Sequence, residues 1–225
     1  VARDEAGGII YGANGDPRPM YYDYNGTKYA FTGGDAIYED VNHDGSIDQY
    51  DVVYLGSSLP KLTGGFGFRL FYKGWSLNTQ FNYRYGNKIA NVARMMAENM
   101  HGADNQSTAV NYRWRKEGDG ANGGHVLPRA LYGQGYNWMG SDRFVEDGSF
   151  LRLNYLQLSY GFDSKLVKRI GLSRLNLYVS GENLFCLTKY SGVDPEVDYG
   201  SMGVTIDEAI TPRAKSFTFG LTATF

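Results

Sequence analysis

The sequence predicts an all-β chain, a run of antiparallel strands from a large transmembrane β-barrel with long extracellular loops. Three observations carry that expectation. At the end of the chain, Phe217, Phe219, Leu221, Ala223 and Phe225 alternate with Thr218, Gly220, Thr222 and Thr224, the two-residue period of a strand with one apolar and one polar face. The stretch Phe66 to Tyr85 repeats this pattern on both sides of a tight turn at Lys73-Gly74. Composition supplies the third: 19 Tyr, 12 Phe and 30 Gly suit strands, tight turns and aromatic girdles. With a mean hydropathy of -0.41, no window approaches the apolar run of about 20 residues that a membrane helix needs. The terminal strand alone would also fit the edge of a soluble sheet. An unprotected aromatic edge, however, invites pairing with other chains, and the repetition favours lipid on one side and a wet lumen on the other.

Charge and cysteine content exclude several classes. The 22 basic and 24 acidic residues nearly cancel, so no nucleic-acid partner and no polybasic membrane anchor is expected. The single cysteine, Cys186, has no internal partner and sits beside an apolar stretch, which fits a packed thiol better than a nucleophile. Val1 to Ile10 contains neither an initiator Met nor a signal sequence, and a barrel protein must be exported. The expectation is a segment of a longer protein.

Residues 1–63 form the first region, polar and rich in Gly and Tyr. Asn25-Gly26 between the Tyr-rich arms of Tyr21 to Thr32 predicts a small type I′ hairpin. Its arms lack a clean apolar face, which assigns it to an extracellular loop. The sharpest local motif spans residues 40–51. Asp40, Asn42, Asp44, Asp48 and Asp51 place oxygen ligands at positions 1, 3, 5, 9 and 12, Ser46 offers its carbonyl at position 7, and Gly45 stands at position 6. This is the twelve-residue calcium loop of EF-hand type, with Asp in place of the closing Glu. The expected ligand is a structural Ca2+; the alternative is an acidic surface turn held by Asx hydrogen bonds. Flanking helices are not evident, which argues against a calcium-triggered switch.

Residues 64–225 form the second region, with strands expected at about 64–73, 75–85, 155–162, 174–185 and 215–225. Trp75, Leu77, Phe81, Tyr83 and Tyr85 oppose Ser76, Asn78, Gln80, Asn82 and Arg84, and each arm matches the 9–11 residues or so of a tilted spanning strand. Leu156, Leu158 and Tyr160 are out of phase with Leu151 and Leu153, so a bulge near Tyr155 is expected. Asp163 to Ser173 reads as a helical turn. Outer loops cover 86–148 and 186–213. Within the first, Ile89, Val92, Ala93, Met96 and Met100 predict an amphipathic helix over Lys88 to Met100. Tyr112, Trp114, Tyr136 and Trp138 could stack on sugars or peptides, or fasten the loop to itself; the second is favoured. The short connections lie at one end and the long ones at the other, which assigns the short turns to the periplasm. Five strands cannot close a barrel, since the smallest have about eight, so other strands must complete it. The histidines His43, His101 and His125 form no recognisable Ser/His arrangement, and an enzyme is not expected.

Several motifs together resemble a known family. Asp40-Val41-Asn42-His43-Asp44-Gly45, Gly65 to Trp75, Phe150-Leu151-Arg152-Leu153-Asn154, Ser180-Gly181-Glu182-Asn183-Leu184-Phe185, Lys189 to Glu196, and Pro212-Arg213 leading into Phe217 to Phe225 are similar to the carboxyl-terminal part of SusC/RagA TonB-dependent transporters. The resemblance covers most of the chain beyond Asp35. It implies a Bacteroidetes-like Gram-negative outer membrane, a plugged barrel of about 22 strands, and import of glycans or peptides. The implied partners are the amino-terminal plug and barrel part of the same transporter, a SusD-like surface lipoprotein, TonB acting through that other part, and outer-membrane lipid. No ligand-contacting residue is carried over. The rival expectation is a non-transport outer-membrane barrel with a structural or adhesive role.

Overall fold

The computed structural model describes residues 1–24, 26–120, 127–197 and 205–225. The chain divides into two compact units, one of Val1–Leu55 with Arg94–Asp142 and one of Gly56–Ala93 with Arg143–Phe225.

The first unit is built on a small sheet. Strand β1 (Tyr21–Tyr24) pairs antiparallel with β2 (Thr27–Ala30) and parallel with β3 (Ser46–Ile47), which lies inside the acidic loop. Asn25, half of the expected turn, lies outside the described residues, and Gly26 has φ 77°. The hairpin does have an apolar side, contrary to expectation, because its tyrosines serve as core residues. Tyr22, Ile47 and Tyr136 are buried together, with Tyr29, Phe31 and Tyr38 packed against them. Tyr29 stacks on Tyr136 at 5.2 Å between ring centroids. A phenol ring can bury its apolar body while its hydroxyl finds a partner, and Tyr38 does so by donating to the Tyr136 carbonyl at 2.9 Å.

A partly buried ion pair locks the same unit. The Asp35 side chain, 1% exposed, accepts from Arg129 Nε at 2.6 Å and from Asn137 Nδ2 at 3.1 Å. The Ala36 amide donates to Asn137 Oδ1 at 2.9 Å and the Arg129 amide to the Gly34 carbonyl at 2.7 Å. Burial by itself would raise the Asp35 carboxyl, but hydrogen bonds from Arg129, Thr32 and Asn137 outweigh it and hold the group below the ordinary aspartate range.

The second unit contains a five-stranded antiparallel sheet. Its members are β4 (Leu62–Tyr72) and β5 (Trp75–Tyr85), then, beyond a small sheet, β8 (Phe150–Gly161), β9 (Arg174–Thr188) and β11 (Ser216–Thr224), in the spatial order β11-β9-β8-β5-β4. The small sheet consists of β6 (Lys88–Asn91), β7 (Val145–Asp147) and β10 (Ile206–Asp207). Lys73 and Gly74 have φ 44° and 86°, the two positive values that a two-residue I′ turn requires. Between β8 and β9, helix α2 (Ser164–Val167) starts at Asp163, whose side chain accepts from the Lys165 amide at 2.8 Å, and a 3-10 turn ends at Gly171 with φ 83°.

Two strands run longer than the sequence reading. β8 begins at Phe150 because its first residues pair with Arg84 and Thr188, and β9 extends to Thr188 for the same reason. The helix expected over Lys88 to Met100 is shorter: α1 covers Val92–Glu98 only. Lys88–Asn91 is instead a central strand, paired with β7 on one side and β10 on the other, and Ile89 is fully buried. Pairing on both edges overrides a helical period that is only one turn long there.

Asn154 decides the faces of the large sheet. The β5–β8 register passes from Gln80↔Tyr155 to Phe81↔Leu153, and the β8–β9 register from Tyr155↔Glu182 to Leu153↔Phe185, so Asn154 has no opposite residue on either side. This is the expected bulge. It brings Leu151 and Leu153 onto the face of Leu156, Leu158 and Tyr160, where they meet Tyr83, Phe81, Leu77 and Trp75 of β5. The same face continues through Leu177 and Val179 to Leu221 and Phe219. Phe66, Leu70, Phe217, Phe219 and Leu221 are all at least half exposed there, an apolar area that water would disfavour and lipid accepts.

Deleting Asn154 would slip the register by one residue and invert every side chain on one arm of β8. We expect full-length protein with this deletion to lose the heat-modifiable folded band on gel electrophoresis, while Asn154→Ala keeps it. For Asp35 the folded pKa lies below the unfolded value of about 3.9, so its stabilisation is complete above that pH and is lost as pH falls through the depressed value. Protease protection of segments 32–38 and 129–139 in the full-length protein should hold from pH 7 to about 4 and fall at lower pH. Asp35→Asn should remove that acid step.

Candidate functional site

The backbone of the acidic loop turns at two left-handed positions. Gly45 at position 6 has φ 84°, and His43 at position 4 has φ 58°. Ser46 and Ile47, positions 7 and 8, form β3. The oxygen-bearing side chains face the loop's own amides. Asp40, 8% exposed, accepts from the Asp44 amide at 3.1 Å and the Gly45 amide at 2.8 Å. Asn42 Oδ1 accepts from the Asp44 amide at 3.0 Å, and Asp44 Oδ1 from the Ser46 amide at 2.7 Å. Asp48 caps the 3-10 turn Gln49–Asp51 by accepting from Tyr50 N at 2.8 Å. Asp51 closes the loop, accepting from Val41 N at 2.8 Å and Asp48 N at 2.7 Å.

The structure thus brings Asp40, Asn42 and Asp44 into one turn and joins position 12 to position 2 through the bond from Val41 to Asp51. It does not converge their carboxylates: among the described residues no group of three or more His, Cys, Asp or Glu side chains is placed to hold a metal ion. Every carboxylate already satisfies backbone donors, the arrangement of an Asx-stabilised acidic turn. His43 Nδ1 lies 3.1 Å from the Arg3 carbonyl, His101 contacts Asn99 Oδ1, and His125 lies outside the described residues. Of the aromatic residues flagged in the long connection, Tyr136 and Trp138 are buried and Trp114 packs on Gly33, whereas Tyr112 is 71% exposed. Three of these four hold the segment to its own unit.

The second element is the polar face of the large sheet. Ser76, Asn78, Gln80, Asn82 and Arg84 of β5 stand beside Gln157 and Ser159 of β8 and Arg69 of β4. Arg69 Nε donates to Asn78 Oδ1 at 3.3 Å and Ser159 Oγ to Ser76 Oγ at 3.2 Å. Where Gly65 and Gly67 lack side chains, an open depression of about 490 Å3 extends along β4 and β5. A face composed mainly of amides and hydroxyls can hold water or hydroxyl- and amide-bearing solutes.

One cluster had no counterpart in the sequence reading. Arg152, on this polar face, pairs with Asp194 Oδ1 at 2.5 Å and Glu196 Oε2 at 3.1 Å, and Arg213 Nε meets the same Glu196 oxygen at 3.0 Å. Arg152 lies 42 residues from Asp194 and a similar distance from Glu196, and no local spacing reveals the pairing.

No family model matches the chain. TonB-dependent receptor P39 of Formosa agariphila is 31% identical over 208 residues, which cover 86% of this chain and 19% of that protein. TonB-dependent receptor P3 of the same organism is 29% identical over 199 residues, 85% of this chain and 19% of that protein. TonB-dependent receptor SusC of Bacteroides thetaiotaomicron is 29% identical over 213 residues, 91% of this chain and 18% of that protein. The chain therefore spans about a fifth of the length of the curated relatives it matches. Among solved structures, the RagAB peptide transporter matches with a TM-score of 0.66 at 24% identity, over 92% of this chain and 22% of that chain. The closed-closed state of the RagAB peptide importer matches with 0.62 over 100% of this chain and 22% of that chain. The relatives are named as receptors and transporters, not as enzymes. By sequence this chain falls among the TonB-dependent receptors that include SusC, and in fold it matches a stretch of the RagAB transporter, as part of a β-barrel wall.

Proposed function

We propose that the chain forms part of an outer-membrane transporter that imports glycans or peptides, driven by TonB and working with a SusD-like surface lipoprotein. The single observation that carries this reading is the two-faced sheet: one face apolar across five strands and one face of amides and hydroxyls, on a chain similar over most of its length to TonB-dependent receptors. The apolar face meets lipid, the polar face lines the lumen, and further strands of the same barrel pair with the outer edges of β4 and β11. Regions 1–63, 86–148 and 186–213 then lie outside the cell, with the Lys73-Gly74 turn and α2 at the periplasmic rim. The RagAB structures are described as peptide importers, which makes peptides as reasonable a cargo as glycans.

The test is uptake by cells carrying the full-length receptor. Labelled oligosaccharides and a labelled peptide mixture are offered separately, with and without collapse of the proton-motive force, and the proteins that copurify with the receptor are identified by mass spectrometry. Energy-dependent accumulation of one class together with a copurifying surface lipoprotein is expected. Binding without accumulation of either class would favour the adhesive reading.

The acidic loop, in this proposal, holds a structural Ca2+ through Asp40, Asn42, Asp44, Ser46, Asp48 and Asp51. Its supports are the residue types, the left-handed backbone at positions 4 and 6, and the joining of the loop's two ends. Calcium takes six to eight oxygen ligands or so, and the shorter Asp at the closing position reduces bidentate reach relative to Glu. We expect calorimetric titration of the full-length receptor to give a Kd on the order of 10⁻⁴ to 10⁻³ M, the range of extracellular calcium modules. Asp44→Asn should weaken it about tenfold, the cost of one lost charged ligand at roughly 1.4 kcal/mol. No calcium-dependent heat with millimolar calcium present would leave the loop as an Asx-stabilised turn.

A further inference from the structure

The polar face should be open along its whole length if it lines a wet lumen, yet it is covered at one end. Phe150 and Arg152 lie on that face, opposite Arg84 and Asn82 of β5, and are 7% and 4% exposed. The cover is the segment that follows β9. Asp194 and Glu196 reach Arg152 from above, and the Arg213 amide donates to the other Asp194 oxygen at 3.2 Å. The Glu196 amide donates back to Asp194 Oδ1 at 2.9 Å, which fixes the turn between the two carboxylates.

The beginning of the segment is tied independently. Ser191 donates to Glu146 of β7 from its amide at 2.8 Å and from its hydroxyl at 2.7 Å. The Tyr190 hydroxyl donates to Asp207 of β10 at 2.5 Å; burial and that carboxylate together push the Tyr190 phenol far above its ordinary range, so it remains a donor. Beneath it, Ile89, Tyr190 and Val197 form a small buried cluster. Any side chain at Gly192 would run into the Tyr190 ring. Only the tip is free of this packing, with Val193 75% exposed.

We propose that Tyr190–Val197 is a fixed ledge over the loop-bearing end of the polar face, with Arg152 as its positioning residue. The argument rests on the asymmetry of buried ion pairs. Assembling such a pair contributes little net stability, but removing one partner strands an uncompensated charge in a dry site and is strongly destabilising. A segment held by two carboxylates on one buried guanidinium therefore has one favourable position and no intermediate ones. The planar fork of arginine can serve both carboxylates at once, which a lysine ammonium cannot. Its relevance to transport rests on the polar face lining the lumen, as proposed above; the clamp itself does not.

The test is hydrogen exchange by mass spectrometry on the full-length receptor in nanodiscs. In the wild type, amides of residues 190–196 should exchange at least tenfold more slowly than those of the exposed turn around Gly118. Arg152→Ala should speed them at least tenfold while β5 amides stay unchanged, and Arg152→Lys should restore only part of the protection. If Arg152→Ala does not give a folded barrel, the double variant Asp194→Asn, Glu196→Gln releases the clamp from the loop side and should show the same acceleration. Fast exchange of 190–196 in the wild type, or no acceleration in a folded variant, would overturn the proposal. So would a change in protection of these amides when the purified surface lipoprotein is added, since the ledge would then be a moving part. A receptor that imports nothing but keeps the protected segment would sink the transport reading and leave the clamp standing.

Discussion

A strand that faces lipid on one side and water on the other must keep its phase from end to end, because one residue of slip exchanges the two faces. Every strand of the large sheet depends on that constraint, and β8 meets it only through Asn154. Its leucines are written in two phases, Leu151 and Leu153 before the bulge and Leu156 and Leu158 after it. A single unpaired residue reconciles them, and β9 answers with its own irregularity at Asn183, whose φ is 51°. The apolar face then runs unbroken from Phe66 through Phe81 and Leu153 to Phe185. Backbone groups between these strands are satisfied within the sheet, the condition for any structure that crosses hydrocarbon.

The same phase argument places Arg152 and Phe150. Both sit on the polar face because Leu151 and Leu153 occupy the other, and at that end the face turns from wet to covered. A guanidinium in such a position needs carboxylates, and the returning chain supplies Asp194 and Glu196. The bulge in the wall and the fastening of the ledge are thus two consequences of one register.

The first unit solves a different problem. It packs tyrosines around Tyr22 and Ile47 and uses the Tyr38 hydroxyl to satisfy two backbone groups. The Asp35–Arg129 pair joins segments 94 residues apart, and its neighbours Thr32 and Asn137 complete the carboxylate's hydrogen bonds. A loop region organised this way is a folded body with its own polar and aromatic core. The acidic loop is attached to that body through β3, so its backbone is held by the sheet as well as by its own Asx turns.

Sequence alone determined what is local in period or in turn chemistry. Alternation showed β4, β5 and β11, the Lys73-Gly74 turn, and the need for a bulge near Tyr155, because a strand's faces are a property of neighbouring residues. The acidic loop was legible for the same reason: its spacing is contained in twelve positions. Tertiary structure decided what depends on partners distant in the chain. Ile89 reads as one side of a helix and becomes a strand because Val145 to Asp147 and Ile206 to Asp207 pair on either side of it. The Tyr-rich hairpin reads as a solvated loop and becomes a core because Tyr136 arrives from more than 100 residues away to stack on Tyr29. Arg152 reads as one more polar residue of a strand and becomes a clamp because Asp194 and Glu196 fold back over it, since a charge carries no sign in the sequence of where its counter-ion will be.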